Sequence, residues 1–137
     1  MAARTKARKR ALDLVFEADQ RGVDVSELLR DRLAAPVTEA PLAEYTATLV
    51  EGWLALRDDI DEQLRTYAHG WSLERMPAVD RAVLRLGGFE VLHSQEVPAP
   101  VAISEWVAIV TDLSTDESPK FVNGLLGRLA EVKATIV

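Results

Sequence analysis

The chain has 137 residues, 48% of them hydrophobic and 28% charged, with a formal net charge of −6. That length and balance suit one globular domain whose core needs no covalent or metal staple. There is no cysteine, which excludes disulfides and thiolate metal sites, and no apolar run approaches the roughly 20 residues of a membrane span. The basic N-terminus lacks the apolar segment of a secretory signal, so the cytoplasm is the expected compartment.

Residues 4 to 20 read as a helix with an apolar stripe at Leu12, Val15 and Phe16, ending at Gly22. Asp24 with Glu27 three residues later forms a capping-box pattern for a short helix to about Leu33. Pro36 and Pro41 bracket a loop. Leu42, Tyr45, Leu49, Trp53, Leu56, Ile60, Leu64 and Tyr67 recur every three or four positions, which predicts one long helix from about 41 to 68, bending at Gly52 and ending at Gly70. Ser72 to Met76 reads as a short helical turn. Pro77 suits the first position of the next helix, whose apolar face is Val79, Ala82, Val83, Leu86, Phe89 and Leu92. Gly87 and Gly88 inside it cost roughly 1 kcal/mol each relative to alanine and point to close helix packing. Pro98 and Pro100 open a nearly continuous apolar segment from Val101 to Leu113, the pattern of a central buried helix. Ser114 or Ser118 is placed to cap the last helix, with Phe121, Val122, Leu125, Leu126 and Leu129 toward the core. No period-2 strand pattern and no internal repeat occurs. The reading is all-α, six or seven helices in a compact bundle.

Catalytic patterns are missing. His69 and His93, the only histidines, have no ligand spacing. No serine sits in a G-x-S-x-G elbow, and there is no P-loop or dinucleotide fingerprint. Asp58, Asp59, Asp61 and Glu62 form an acidic cluster read as a solvated helix face, since it lacks the glycine turn of a calcium loop.

The negative total charge argues against a nucleic-acid binder, but the charge is uneven. Arg4, Lys6, Arg8, Lys9 and Arg10 place five cations within seven residues, and the remainder of the chain carries −11. Cations at a helix N-terminus oppose the macrodipole. Their presence there suits an external anion such as phosphate, which helix N–H groups also favour. Phe16, under two turns beyond Arg10, is a candidate for stacking a base, against the alternative of a core aromatic.

Four segments carry a family resemblance: Ala7-Arg8-Lys9-Arg10-Ala11; the stretch from Met76 through Asp80 to Arg85; Val97-Pro98 followed by Val101-Ala102-Ile103-Ser104-Glu105; and Ser118-Pro119-Lys120-Phe121-Val122-Asn123-Gly124-Leu125-Leu126. Together they resemble the NusB family of bacterial transcription antitermination factors over nearly the whole chain. The phrase from Trp71 to Pro77 is most similar to the actinobacterial branch. The resemblance implies a single domain spanning 1–137, built of two small packed helical bundles at about 1–70 and 71–137, with no catalytic activity and no cofactor. It implies pairing with NusE, a small-subunit ribosomal protein, and binding of the pair to the boxA RNA of nascent ribosomal leaders, so that RNA polymerase resists termination. It places Lys6, Arg8, Lys9, Arg10 and Phe16 on the RNA side, with Arg4 in the same basic run. Lys120 and Phe121 join that side, with Glu117 beside them. Asp80 and Arg85, with Trp71 and Glu74 nearby, fall on the NusE side. Glu117 stands where some relatives have aspartate. Phe16 stands where tyrosine occurs, and it can stack but cannot hydrogen-bond a phosphate. Some members of the family form a homodimer, which would cover part of the binding surface. The competing readings are a helical protein–protein scaffold without RNA, an accessory domain of an RNA methyltransferase, for whose catalytic domain the chain has no room, and an enzyme built around His69 or His93.

Overall fold

The structure, a computed structural model, describes residues 2–34 and 44–136. Pro36, Pro41 and Leu42, the expected loop and first seam position, lie outside them. Every regular element among the described residues is helical: α1 (Ala3–Arg21), α2 (Val25–Ala34), α3 (Glu44–Ala55), α4 (Arg57–Tyr67), a 3-10 turn at Leu73–Arg75, α5 (Ala78–His93), α6 (Ala99–Leu113) and α7 (Ser118–Ile136). No helix among these residues is long and apolar enough to cross a membrane.

The punctuation follows local chemistry. Gly22 takes a left-handed conformation at φ 66°, where L side chains are strained, and its N–H bonds back to the Ala18 carbonyl to close α1. Asp24 accepts from the Ser26 N–H at 2.8 Å and so caps the start of α2. Pro77 is the N-cap of α5 and Pro98 that of α6, each one position ahead of the first helical residue.

The long seam is two helices. The chain breaks at Leu56, with φ −117° and ψ 20°, where the Leu56 N–H bonds to Trp53 and not one residue further back. No glycine or proline marks the break. Its sequence signal is Asp58 and Asp59, acids in the first turn of α4, where they complement the positive end of the helix. The apolar spacing persists across the break because both helices line the same core. Gly52 does not bend α3. It makes room for the Phe89 ring, whose Cζ lies 2.2 Å from where a Cβ would stand.

One continuous apolar core runs from Ala11 and Leu12 in α1 to Leu129 in α7. Side chains such as Leu49, Ile60, Leu64, Leu84, Leu125 and Leu126 are fully buried, each worth about 1.5–3 kcal/mol relative to exposure. Helices α1, α2 and α3 pack on one another, as do α5, α6 and α7, and α1 and α3 lie against α5. Helix α4 packs mainly on α5 and α7 and to a lesser extent on α3. Arg128 of α7 donates to the Tyr67 carbonyl at 2.9 Å, closing the end of α4. Helix α6 is not buried all round as its composition suggests. Ala102, Trp106, Ile109 and Val110 face inward, while Val101 and Leu113 are about half exposed, because α6 packs mainly on α5 and α7, from one side.

The glycines of α5 and α7 give a paired test. A Cβ at Gly87 would meet Leu126 and Trp106 at 3.1 Å, both fully buried, whereas at Gly127 it would meet nothing within 4 Å. Gly87→Ala is expected to lower stability by about 1–3 kcal/mol through overpacking. Gly127→Ala is expected to raise it by about 0.5–1 kcal/mol through helix propensity and a less flexible unfolded chain. Denaturant midpoints of the two variants check both signs.

Candidate nucleic-acid interface

Helix α1 starts with Ala2 as N-cap, without a side-chain cap bond and with no acid in its first turn. Lys6, Lys9 and Arg10 follow at i, i+3 and i+4, which places them along one face. Lys6 is exposed and Lys9 and Arg10 are half-buried. Phe16, half-buried, lies two turns along from Lys9 on the same side of the helix. Arg4 is exposed and reaches the Glu96 carboxylate at 3.0 Å. Such a surface pair is worth at most about 1 kcal/mol, so a phosphate can take the place of Glu96 at little cost.

Arg8 does not belong to this surface. Its side chain is 2% exposed and makes a bidentate pair with Glu90 of α5, Nε to Oε1 at 3.0 Å and Nη2 to Oε2 at 2.7 Å. The same carboxylate accepts the Trp106 indole N–H at 2.7 Å and the Tyr45 hydroxyl. Glu105 of α6 adds a second anion 3.6 Å from Nη1. Burial opposes the charge on Arg8, but the hydrogen bond and charge of Glu90, with Tyr45 and Glu105, hold its pKa above the ordinary value. The cause of the misplacement is visible in the periodicity. Arg8 stands four before Leu12 and seven before Val15, on the inward stripe of α1. Tyr45, Glu90 and Trp106 were not singled out from the sequence as site residues. The available signal was a glutamate between Phe89 and Val91 on an apolar stretch near the end of α5.

The start of α7 carries Lys120, exposed, and Phe121, half-buried, with Glu117 exposed just before the helix. Phe121 packs against Trp71, ring centroids 5.2 Å apart at an interplanar angle of 36°. Trp71 is 49% exposed. The expected RNA side and the expected partner side therefore meet at this aromatic pair.

Asp80 is 2% exposed and faces inward. It accepts the Ser114 hydroxyl at 2.5 Å and the Ser118 hydroxyl at 2.8 Å. Both serines thus bind α5 and are not simple caps of α7. The inward turn of Asp80 removes it from the outer surface, contrary to the expectation of a partner contact. Arg85 is bound to Asp61 by two bonds of 3.1 Å, so Asp61, at 6% exposure, is no part of a solvated face. Both line a shallow cleft of about 620 Å³ with Arg57, Asp58, Glu62 and Arg65. Its three cations and three anions balance, so it does not attract a phosphate backbone. Arg65 also pairs with Glu74, at 2.8 Å. Arg81 donates to the carbonyls of Leu73 and Met76 at 3.3 Å and pairs with Asp19 of α1 at 2.7 Å, which ties the 3-10 turn carrying Glu74 to the first helix.

Comparison with known proteins places this geometry. The family model described as the NusB family matches residues 5–131. The chain belongs to the NusB family. The transcription antitermination protein NusB of Beutenbergia cavernae is 58% identical over 137 aligned positions, covering 94% of this chain and 90% of that protein. The fold is similar to that of T. maritima NusB, with a TM-score of 0.82, 30% identity, and coverage of 95% of this chain and 92% of that one. It is also similar to the crystal structure of antitermination factors NusB and NusE in complex with dsRNA, at TM-score 0.78 and 28% identity, covering 94% of this chain and 96% of that chain.

Two of the candidate partner residues differ in kind, and experiment can separate them. The Arg65 hydrogen bond, then the backbone N–H of Glu74 and the Ser72 hydroxyl, pull the Glu74 carboxyl down to about 2. Its contact is therefore intact above the ordinary carboxylate range of about 4.3 and is lost as pH falls toward 2. An NMR titration of the Glu74 carboxyl is expected to give a midpoint near 2, so this surface stays anionic at any working pH. Asp80→Ala strips the buried Ser118 hydroxyl and the half-buried Ser114 hydroxyl of their acceptor and is expected to cost about 1–3 kcal/mol of stability, read by chemical denaturation.

Proposed function

We propose that this NusB-family protein is a transcription antitermination factor that pairs with ribosomal protein NusE and binds boxA RNA of nascent ribosomal leaders within the RNA polymerase antitermination complex. The observation that carries the reading is the cationic face of α1 on an otherwise acidic chain, in a family with a solved NusB–NusE–dsRNA assembly. Lys6, Lys9 and Arg10 supply phosphate contacts at a helix end whose free N–H groups also favour anions. Phe16 offers a ring beside them. Lys120 and Phe121 extend the RNA side to α7, with Glu117 as a nearby acid that weakens phosphate binding. Trp71, Glu74 and Arg85 mark the NusE side.

The charge distribution also explains why a partner is needed. Outside residues 4 to 10 the chain carries −11, and that field repels a phosphate backbone wherever the cationic face does not reach. Screening over about 8 Å at physiological salt weakens the repulsion without abolishing it near the surface. A basic ribosomal protein beside the RNA supplies the missing charge and lengthens the contact. RNA must then tighten the pair by the same factor by which NusE tightens RNA.

Calorimetry of the four binding legs, with boxA RNA and NusE, tests the reading. The pair is expected to bind boxA more tightly than this protein alone, and equal affinities would reject the cooperative account. Replacing Lys6, Lys9 and Arg10 by alanine is expected to flatten the slope of log K against log salt by about 2, at about 0.7 per phosphate on a single strand. An unchanged slope would remove α1 from the RNA interface.

A further inference from the structure

We propose that the Arg8–Glu90 pair is the positioning device of the RNA-binding surface: Arg8 seats the first turns of α1 so that Lys6, Lys9 and Arg10 face one way, and does not itself touch RNA. This rests on the RNA reading above.

The start of α1 has little apolar packing to hold it. It lacks a side-chain cap and a first-turn acid, and its cations oppose the helix dipole. Its buried apolar residues there are only Ala7 and Ala11, and the first large one is Leu12. Polar contacts tie residues 3 to 10 to the other helices, beyond the exposed Arg4–Glu96 pair. Thr46 of α3 donates to the Ala7 carbonyl at 2.9 Å, Thr5 donates to Glu105 at 3.1 Å, and Arg8 holds Glu90. Only the last is a fully buried charge pair, and it is geometrically over-determined. The Glu90 carboxylate is held from α1 by Arg8, from α3 by Tyr45 and from α6 by Trp106. The Tyr45 ring also lies under both arginines of the helix start, 5.0 Å from the Arg4 guanidinium carbon and 5.7 Å from that of Arg8. Burial and the Glu90 bond raise the Tyr45 pKa, so the phenol stays a donor. Removing one member of such a pair leaves an uncompensated buried charge. The remedy available to the molecule is to let the start of α1 move away and admit water. The face that carries the three surface cations would then no longer be held in one direction against the bundle, and the apparent affinity for RNA falls by the fraction of time it is.

The test compares Glu90→Gln, Arg8→Met and the double variant Arg8→Met/Glu90→Gln with the native chain, each with NusE present. The measurements are boxA affinity against salt, NusE affinity, and amide exchange of residues 3 to 10. Glu90→Gln removes a negative charge, which on electrostatics alone would tighten RNA binding. Positioning predicts the opposite, a loss of about tenfold if the first turns stay seated about a tenth of the time, with faster exchange in residues 3 to 10 and unchanged NusE affinity. The double variant buries no lone charge, and Gln still accepts from Trp106. It is expected to recover most of the affinity with the native salt slope, since no phosphate contact was lost. Three results would overturn the proposal: tighter RNA binding by Glu90→Gln, a double variant as weak as Arg8→Met with a slope flatter by about 0.7, or equal losses for RNA and NusE. If Arg8→Met does not fold, the other two variants decide. Native protein with NusE that fails to bind boxA at all would overturn the RNA reading itself, and this inference with it.

Discussion

A carboxylate buried near the C-terminal end of α5 accepts four hydrogen bonds, two from a guanidinium, one from an indole and one from a phenol, and these donors come from three other helices. A charge with no exposure tolerates no vacancy among its partners, because an unpaired ion in the interior costs several kcal/mol. Apolar packing fixes which faces are inside, but many side-chain arrangements of similar volume satisfy it. The Glu90 constellation is directional. It sets how α1, α3 and α6 are rotated and shifted against α5, and with them the outer face of α1. The surface proposed to bind RNA is therefore the reverse side of a helix whose inner side carries a buried ion pair.

A second polar anchor works in the same way at the other end of α5. Asp80 receives hydroxyls from Ser114 and Ser118, which brackets the link between α6 and α7. Arg81, the next residue, carries the 3-10 turn and Asp19 of α1. Helix α5 thus positions both regions that face outward, the cationic helix through Glu90 and the Trp71–Phe121 corner through Asp80 and Arg81. RNA and a protein partner meet at that corner in the proposed reading. Rigid attachment of both to one central helix is a physical route by which occupancy of one surface bears on the other.

Helical periodicity was legible wherever a helix has one wet and one dry face. It located α1, α2, α5 and α7 to within a few residues and assigned most of the core. It failed at Leu56, because an apolar seam continues through a break when both helices line the same core. It also overstated α6, whose apolar composition does not distinguish a helix covered all round from one covered on one side. Residue type misled at Arg8 and Asp80. Charged side chains are read as outside by default, since burial without a partner is so costly, and a partner many residues away in sequence is invisible from the local pattern.

What the chain determines by itself is its class and its asymmetry. Residue spacing demands helices, the absence of cysteine demands an apolar core, and five cations in seven residues on an acidic chain demand a basic end. The motifs around Asp80 and Phe121 carry its family. That a charge on the inward stripe of α1 is buried, and by what it is paired, was decided only by the tertiary structure. Arg8 differs from Lys6, Lys9 and Arg10 not in charge but in facing inward, where Glu90, 82 residues away, is within reach at 2.7 Å. Burial of a charge is a property of the pair, and only the fold brings the pair together.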